Sequence, residues 1–379
     1  MSATAAIVIC AYNDAEYIGR VVCGAVQQDL PGREIIVVDD CSTDGTGQVL
    51  EDIPDIKVIR NEKNMGLAAT LTRGVAATDA SIVISLHSDC LLRDSGWLAR
   101  MVQLFDEPNV GAVVSRRVYS DRSSLPIGAR LFDTVCPQQL NPKNRRLHEI
   151  DFFRGKADAY RREVIDKLGG WDRAFFTAGE DTDLSIKMRA AGYRILLHPD
   201  AAIEYIFSSR QKTIAGGFQK AILYGKTAAL LYRRHQYDGL QTRSYLWCLF
   251  GIIGFLLPTV VSLLFSAVLF VTSFNRCFVF HRLRRQMPLG ILYAGFLLLF
   301  GFSAIASHTP PLPVIALAVP AGSAFFTGFI SMKNSLRALR DGESLLLMPL
   351  LFCYSFFWHL VTGVGYLEGY LRLIWGGRR

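Results

Sequence analysis

The stretch Glu34-Ile35-Ile36-Val37-Val38-Asp39-Asp40-Cys41-Ser42-Thr43-Asp44-Gly45-Thr46 decides the fold class. Ile35–Val38 is apolar at every position and too short for a helix, so it reads as a strand buried on both faces. It breaks off into residues that favour turns and helix N-caps. Working outward, the same grammar recurs. Upstream, Ala5–Cys10 is a second apolar run that ends at a polar turn, and Tyr17, Ile18, Val21, Val22 and Ala25 follow at helical spacing. Downstream, Ile56–Ile59 reads as a strand, Gly66–Ala77 as a helix, and Ser81–Leu86 and Val110–Ser115 as strands. Apolar strands alternating with helices predict an α/β domain with a mostly parallel central sheet covered on both faces. Such sheets bind ligands at the carboxyl ends of their strands.

The alternation then loosens. Tyr119–Glu149 is polar, rich in arginine and proline, and reads as a long loop or lid. Beyond it, helices are expected over Arg161–Leu168 and from Glu180 to Ala191, with short strands at Tyr193–Leu197 and Ala202–Ile206. Thr213–Arg234 has helical spacing with a basic side and is expected to lie along a membrane surface. No charged residue occurs in 244–275, 286–332 or 344–367. A helix crossing a bilayer needs about 20 apolar residues. The expected organisation is an α/β head domain over 1–210, an amphipathic interfacial helix or linker over 211–243, and a C-terminal helical membrane region over 244–379. Its hydrophobic segments are placed at about 246–274, 289–307, 313–331 and 345–371. The first is broken at Pro258 and is expected either to span or to enter and leave one face.

Composition supports this division. Of 379 residues, 51% are hydrophobic and 20% charged, which excludes disorder, collagen and a small disulfide scaffold. The net charge of +8 reads as a basic collar at lipid headgroups. No groove-reading motif accompanies it, so no nucleic-acid partner is expected. The eight cysteines include no C-x-x-C pair, which argues against zinc and against a disulfide framework and fits a reducing compartment. Ala5–Cys10 is too short for a signal peptide and lacks a basic flank, so the head is expected to stay in the cytoplasm. Neither a G-x-G-x-x-G after the first strand nor a Walker loop is present, which excludes a dinucleotide-binding or ATPase reading.

Three clusters carry chemistry, and each has a plainer reading beside it. Asp39-Asp40 sits at a strand's carboxyl end, where carboxylates accept hydrogen bonds from a base or ribose; Ser42, Thr43 and Asp44 equally suit a helix-capping turn. His87-Ser88-Asp89 follows another strand; it can hold a hard divalent cation and through it a diphosphate, or be a turn with a satisfied aspartate. Glu180-Asp181-Thr182-Asp183 opens a helix, where acids are favoured by the helix dipole; a carboxylate there is also placed to act as a general base. Arg116 and Arg117 read as a solvated strand end, with a meeting with the diphosphate as the second reading, and His198 reads as a loop residue.

Taken in order, Ala11-Tyr12-Asn13-Asp14, Val38–Thr46, Asn64-Met65-Gly66, Asp89, Gly169-Gly170-Trp171-Asp172 and Gly179–Leu184 resemble the family 2 glycosyltransferases, inverting enzymes with the GT-A fold. The resemblance covers about residues 5–235. Phe218-Gln219 through Tyr224-Gly225-Lys226, followed by apolar segments, is most similar to the membrane-bound exopolysaccharide branch of succinoglycan glucosyltransferase type. The resemblance implies that Tyr12 stacks on the nucleobase and that Asp39 or Asp40 binds base or ribose. It implies that Ala11, Asp14, Asn64, Gly66, Ser88, Trp171 and Asp172 line the substrate site, and that Asp181 is the catalytic base with Glu180 beside it. Asp89 and His87 would bind Mn2+ or Mg2+. The expected activity is transfer of a single sugar from a nucleotide-diphosphate sugar to a lipid-linked or growing glycan acceptor at the cytoplasmic face of the cell (inner) membrane. The alternatives are a polyprenyl-phosphate glycosyltransferase and a catalytically silent nucleotide-sugar-binding scaffold. Three departures stand out. His87 replaces the first acid of the family's D-x-D, Ser209-Arg210-Gln211-Lys212 stands where processive synthases have Q-x-x-R-W, and Glu204-Tyr205 stands where many relatives have a metal-binding histidine.

Overall fold

The computed structural model describes residues 5–118, 125–136, 146–152, 156–176, 178–207, 212–237, 330–340 and 344–375. They gather into two compact units, one of Met1–Ala129 with Cys136–Thr213 and one of Arg130–Val135 with Ile214–Arg379.

The first unit is built on β1 (Ala5–Ala11), β2 (Glu34–Asp39), β3 (Lys57–Arg60), β4 (Ile82–His87), β5 (Cys90–Leu92), β6 (Val110–Val118), β7 (His148–Glu149), β8 (Ala157–Arg161) and β9 (Arg194–Tyr205). They form one sheet in the order β3-β2-β1-β4-β8-β6-β9-β5, with β7 paired to β9. β1, β2, β3 and β4 are mutually parallel. These are the continuous apolar runs of the sequence, and Ala5–Ile9, Ile36–Val38 and Val83–Ile84 are wholly buried. Helices α1 (Ile18–Val26), α2 (Thr46–Glu51) and α3 (Leu67–Val75) supply the crossovers, and α4 (Trp97–Val102), α6 (Arg162–Lys167) and α7 (Glu180–Ala190) complete the cover. One large core layer joins Val8 and Val83 of the sheet to Leu71 and Val75 of α3, Val164 and Ile165 of α6, and Leu184 and Met188 of α7.

The sheet is mixed rather than mostly parallel. β8 runs antiparallel between β4 and β6, and β5 and β7 are antiparallel to β9. Hydrophobicity reports burial and carries no strand direction; the chain reaches β8 already at the ligand edge, where His87 N–H bonds the Lys156 carbonyl at 2.8 Å, and must run back. Two further expectations are corrected. The 119–149 stretch contains a helix, α5 (Ile127–Val135), and the strand β7. The two strands read at 193–206 are one bulged strand that shifts register on β6 between Ser115 and Arg116.

In the second unit, α8 (Ile214–His235) packs along α10 (Met348–Trp375), with a further helix, α9, over 330–340. α8 is therefore not a lone surface helix. A Cβ on Gly225 would lie 2.1 Å from the Thr362 carbonyl oxygen, and one on Gly365 would lie 2.2 Å from that of Ile222. Close backbone approach through small residues is characteristic of helix contacts in membranes. Lys226 pairs with Glu368 at 2.7 Å along the same seam. Leu345–Leu373, 29 residues of mean hydropathy 1.7, is long and apolar enough to cross a membrane. The segments expected at 246–274, 289–307 and 313–329 lie outside the described residues.

Helix α3 rides close on the sheet through Gly74. A Cβ there would stand 2.3 Å from Val8 Cγ1 and 3.1 Å from Val38 Cγ2. Overpacking of this kind costs about 1–3 kcal/mol. Gly74→Ala is expected to lower the thermal unfolding midpoint of the full chain; an unchanged midpoint would contradict this close packing.

Candidate active site

Parallel register brings the carboxyl ends of three strands into line. Ala11 pairs with Asp39, Cys10 with His87, and Asp39 with Arg60. The loops that leave this edge carry the clusters marked in the sequence.

The loops after β1 and β2 are stitched together. Asn13 N–H bonds Ser42 Oγ at 3.0 Å, and Thr43 N–H bonds Asn13 Oδ1 at 2.8 Å. Asp14 N–H bonds Thr46 Oγ1 at 2.9 Å, and Ala15 N–H bonds Asp44 Oδ2 at 3.0 Å. Asn13 takes a positive φ of 57° to do this, a conformation asparagine tolerates better than most residues. Asp14 also accepts the Tyr12 N–H at 3.0 Å and bonds the side chain of Ser88, which ties the first loop to the third. Burial raises the Asp14 pKa, although the Ser88 and Tyr12 bonds oppose it. Tyr12 remains 48% exposed, as a ring offered to a planar ligand would be.

The two adjacent aspartates have different surroundings. Asp40 Oδ1 accepts from Asn61 Nδ2 at 2.6 Å and Met65 N–H at 2.8 Å, while Oδ2 accepts the Gly66 N–H at 3.0 Å. Asp40 thus clamps the turn before α3, helped by Asn64, whose Oδ1 accepts the same Gly66 N–H at 3.1 Å. Gly66 has φ 81°, and a Cβ there would lie 2.6 Å from the Phe176 carbonyl oxygen. Asn64 and Gly66 therefore join this loop to the turn beyond Trp171. Asp39 is 1% exposed. Its Oδ1 accepts the Ser42 N–H at 2.9 Å. Its Oδ2 has no hydrogen-bond donor, and Arg60 Nη1 stands 3.7 Å away. A buried carboxylate oxygen without a donor is costly, so Oδ2 is where a ligand N–H or O–H would fit.

A charged centre lies beyond β4. Lys156 Nζ donates to Asp89 Oδ2 at 2.5 Å, with the two side chains 18% and 17% exposed. The ammonium also lies 4.8 Å from the centre of the Tyr205 ring. Burial would raise the Asp89 pKa, but Lys156 and then His87 outweigh it and hold the carboxyl below its ordinary value. Burial would lower the Lys156 pKa, and Asp89 more than restores it. Arg117, for which a solvated strand end is the favoured of two sequence readings, is instead 4% exposed, and its charge reaches Lys156, Cys90 and Asp181. His198, read as a loop residue, is buried in β9, where its Nδ1 accepts the N–H groups of Asp200 and Ala201.

At the start of α7 the acids diverge. Asp183 is fully buried and pairs with Lys187 one turn on, at 2.6 Å. The Glu180 charge reaches Cys10 and Tyr160. Asp181 accepts from Thr182 N–H at 2.6 Å and Thr182 Oγ at 3.2 Å. Burial raises its pKa, only partly opposed by Thr182, Arg117 and Lys156. Lys156 is bonded to Asp89, and its charge also reaches Asp181.

Trp171 is corrected from a substrate contact to a core residue. It is 4% exposed and stands edge-on to Tyr160 at 5.4 Å. Asp172 Oδ1 accepts the Ala174 N–H and fixes the turn beneath. The sequence reading missed Lys156, which carries no motif and is recruited only because β8 begins at this edge.

The divalent cation implied by the family resemblance does not fit the protein's own donors. In nucleotide sites such ions keep waters and take one or two carboxylates besides the substrate's phosphates, so the fit turns on whether Asp89 is available. Asp89 is already engaged by Lys156 and by the Cys90 thiol at 3.4 Å. Glu204 is turned to Arg93 Nε at 2.6 Å. Among the described residues no three His, Cys, Asp or Glu side chains converge.

Residues 6–169 match the family model described as Glycosyl transferase family 2. The chain is 27% identical over 206 residues to the O-antigen chain rhamnosyltransferase RfbN of Salmonella typhimurium, covering 52% of this chain and 65% of that protein. It is 28% identical over 251 residues to the succinoglycan biosynthesis protein ExoO of Rhizobium meliloti, covering 62% and 70%. It spans 65% and 56% of the lengths of RfbN and of the rhamnosyltransferase WbaN of Salmonella anatum. A mannosyltransferase from Pyrobaculum calidifontis, solved with GDP-Man and Mn2+, superposes with a TM-score of 0.51 at 16% identity, over 99% of this chain and 88% of that one. That likeness concerns the fold, whose mixed sheet is GT-A-like. The fold is GT-A-like, and within it residues 6–169 are similar to the glycosyl transferase family 2 model.

Proposed function

We propose that this chain is an inverting glycosyltransferase that moves a single sugar from a nucleoside-diphosphate sugar to a hydroxyl of a lipid-linked or growing glycan. The observation that carries the reading is that Asp39 and Asp89 lie at the ends of the two strands flanking β1, on one sheet edge, where Lys156 bonds Asp89 and its charge reaches Asp181. The nucleoside lies between Tyr12 and Asp39 Oδ2, and its diphosphate points toward Lys156. Asp181 accepts the proton of the acceptor hydroxyl as that oxygen bonds the anomeric carbon. The bond from that carbon to the diphosphate breaks in the same step, and its electron pair leaves with the diphosphate oxygen. One displacement inverts the anomeric centre. The names of relatives that build O-antigen and succinoglycan support a polysaccharide acceptor. The place assigned to it is the cell (inner) membrane, with the first unit on the cytoplasmic face; the apolar helix Leu345–Leu373 supports the membrane part of this reading.

Asp39→Asn keeps an acceptor for Ser42 N–H and replaces Oδ2 with a donor. It is expected to weaken nucleoside-diphosphate binding by about 1–3 kcal/mol, the scale of a hydrogen bond to a charged group. Unchanged affinity by calorimetry, for every nucleotide that binds the wild type, would contradict the assignment.

Asp181→Asn keeps the shape and removes the base. Turnover is expected to fall by about 10²–10⁴-fold, with little change in donor affinity. Because burial raises the Asp181 pKa, the base form is lost at a higher pH than for an ordinary carboxyl. Wild-type turnover is therefore expected to fall, as pH falls, through a value above about 3.9. A pH–rate profile flat below pH 5, or an active Asp181→Asn enzyme, would remove Asp181 from the chemistry.

A further inference from the structure

We propose that Lys156, supported by Arg117, neutralises the donor's diphosphate with fixed protein charge, so that donor binding and transfer need no divalent cation. The inference rests on the glycosyltransferase reading and adds the means by which this site handles the leaving group.

The argument is one of charge and donors. Two cations meet at the ligand edge, one at the mouth of β8 and one near the end of β6, and both act on Asp181. An ammonium has three donors, and Asp89 takes one of those on Lys156 at 2.5 Å. Lys156 is held in place by that carboxylate and by the Tyr205 ring at 4.8 Å. It is thus oriented before any ligand arrives, which is the condition for efficient stabilisation of developing charge.

A dication entering here would have to displace Lys156 from Asp89, leaving a buried ammonium without its counter-charge beside a second cation. The sequence changes run the same way. His87 removes one anion that would balance a dication, and Glu204, at the position of a family metal ligand, is paired to Arg93. A dianionic or trianionic diphosphate, by contrast, can take the donors of Lys156 that Asp89 does not use, and it enters the positive field of Arg117. As the sugar departs, the electron pair left on the diphosphate oxygen meets the Lys156 ammonium, which stays protonated throughout.

The test uses the full chain in detergent with UDP, GDP and dTDP as probes, together with the corresponding sugar nucleotides. Binding is measured by calorimetry and nucleoside-diphosphate release as turnover, each in excess EDTA and in Mn2+. The proposal expects affinity and turnover in EDTA within about threefold of those in Mn2+. Lys156→Met is expected to weaken binding in EDTA at least tenfold, with Lys156→Arg restoring much of it. Asp89→Asn discriminates without removing a cation. It relieves a negative charge beside the diphosphate and is expected to tighten binding in EDTA severalfold, whereas loss of a metal ligand would weaken binding. Binding and turnover that appear only with Mn2+, or weaker binding by Asp89→Asn, overturn the proposal and leave the glycosyltransferase reading standing. No binding of any probe in either medium overturns both.

Discussion

The pairing of β1 between β2 and β4 is the constraint on which the rest depends. Because the three strands are parallel and in close register, Ala11, Asp39 and His87 end at one level. Three loops therefore leave from one line and face the same space. The pairing is enforced by burial on both faces: Ile7, Val8, Ile9, Ile36, Val37, Val38, Val83 and Ile84 are all inaccessible to solvent. A slip of one residue would exchange the two faces of a strand and carry Asp39 away from Ala11, its neighbour on β1.

Once the line exists, short polar contacts make the loops rigid. Asn13, Asp14, Ser42 and Thr46 bind one another across the first two loops, while Asp40 holds the turn before α3 through three donors. Adjacent acids in sequence thereby receive opposite tasks, since alternate residues at a strand end face opposite sides. Asp40 is filled by the protein and Asp39 keeps an oxygen open. The same separation recurs on α7, where successive positions turn by about 100°. Asp183 goes to Lys187, and Asp181 lies within reach of the Lys156 charge.

The parallel half of the sheet and the position of each edge loop were legible in the sequence, because buried strands and turn residues leave a strong local pattern. Strand direction beyond β4 was not: the alternation of Ala157–Tyr160 is the same read either way. Lys156 was illegible for a related reason, and for Arg117 the sequence left a solvated strand end and a diphosphate contact undecided. Their importance comes from the residues that β8 and β6 bring beside them, and a lysine before a short strand carries no signal of that. Trp171 shows the converse limit, since a motif residue turned out to fill the core against Tyr160. The three-acid cluster of α7 was visible as a cluster, and only the fold separates its members.

The central claim is that one base, Asp181, drives one displacement on this edge. The anomeric configuration of the transferred sugar tests it most directly, read by proton NMR on the product formed from a donor that turns over. The account predicts a configuration opposite to that of the donor. Retention would require a second displacement or a different geometry and would contradict it.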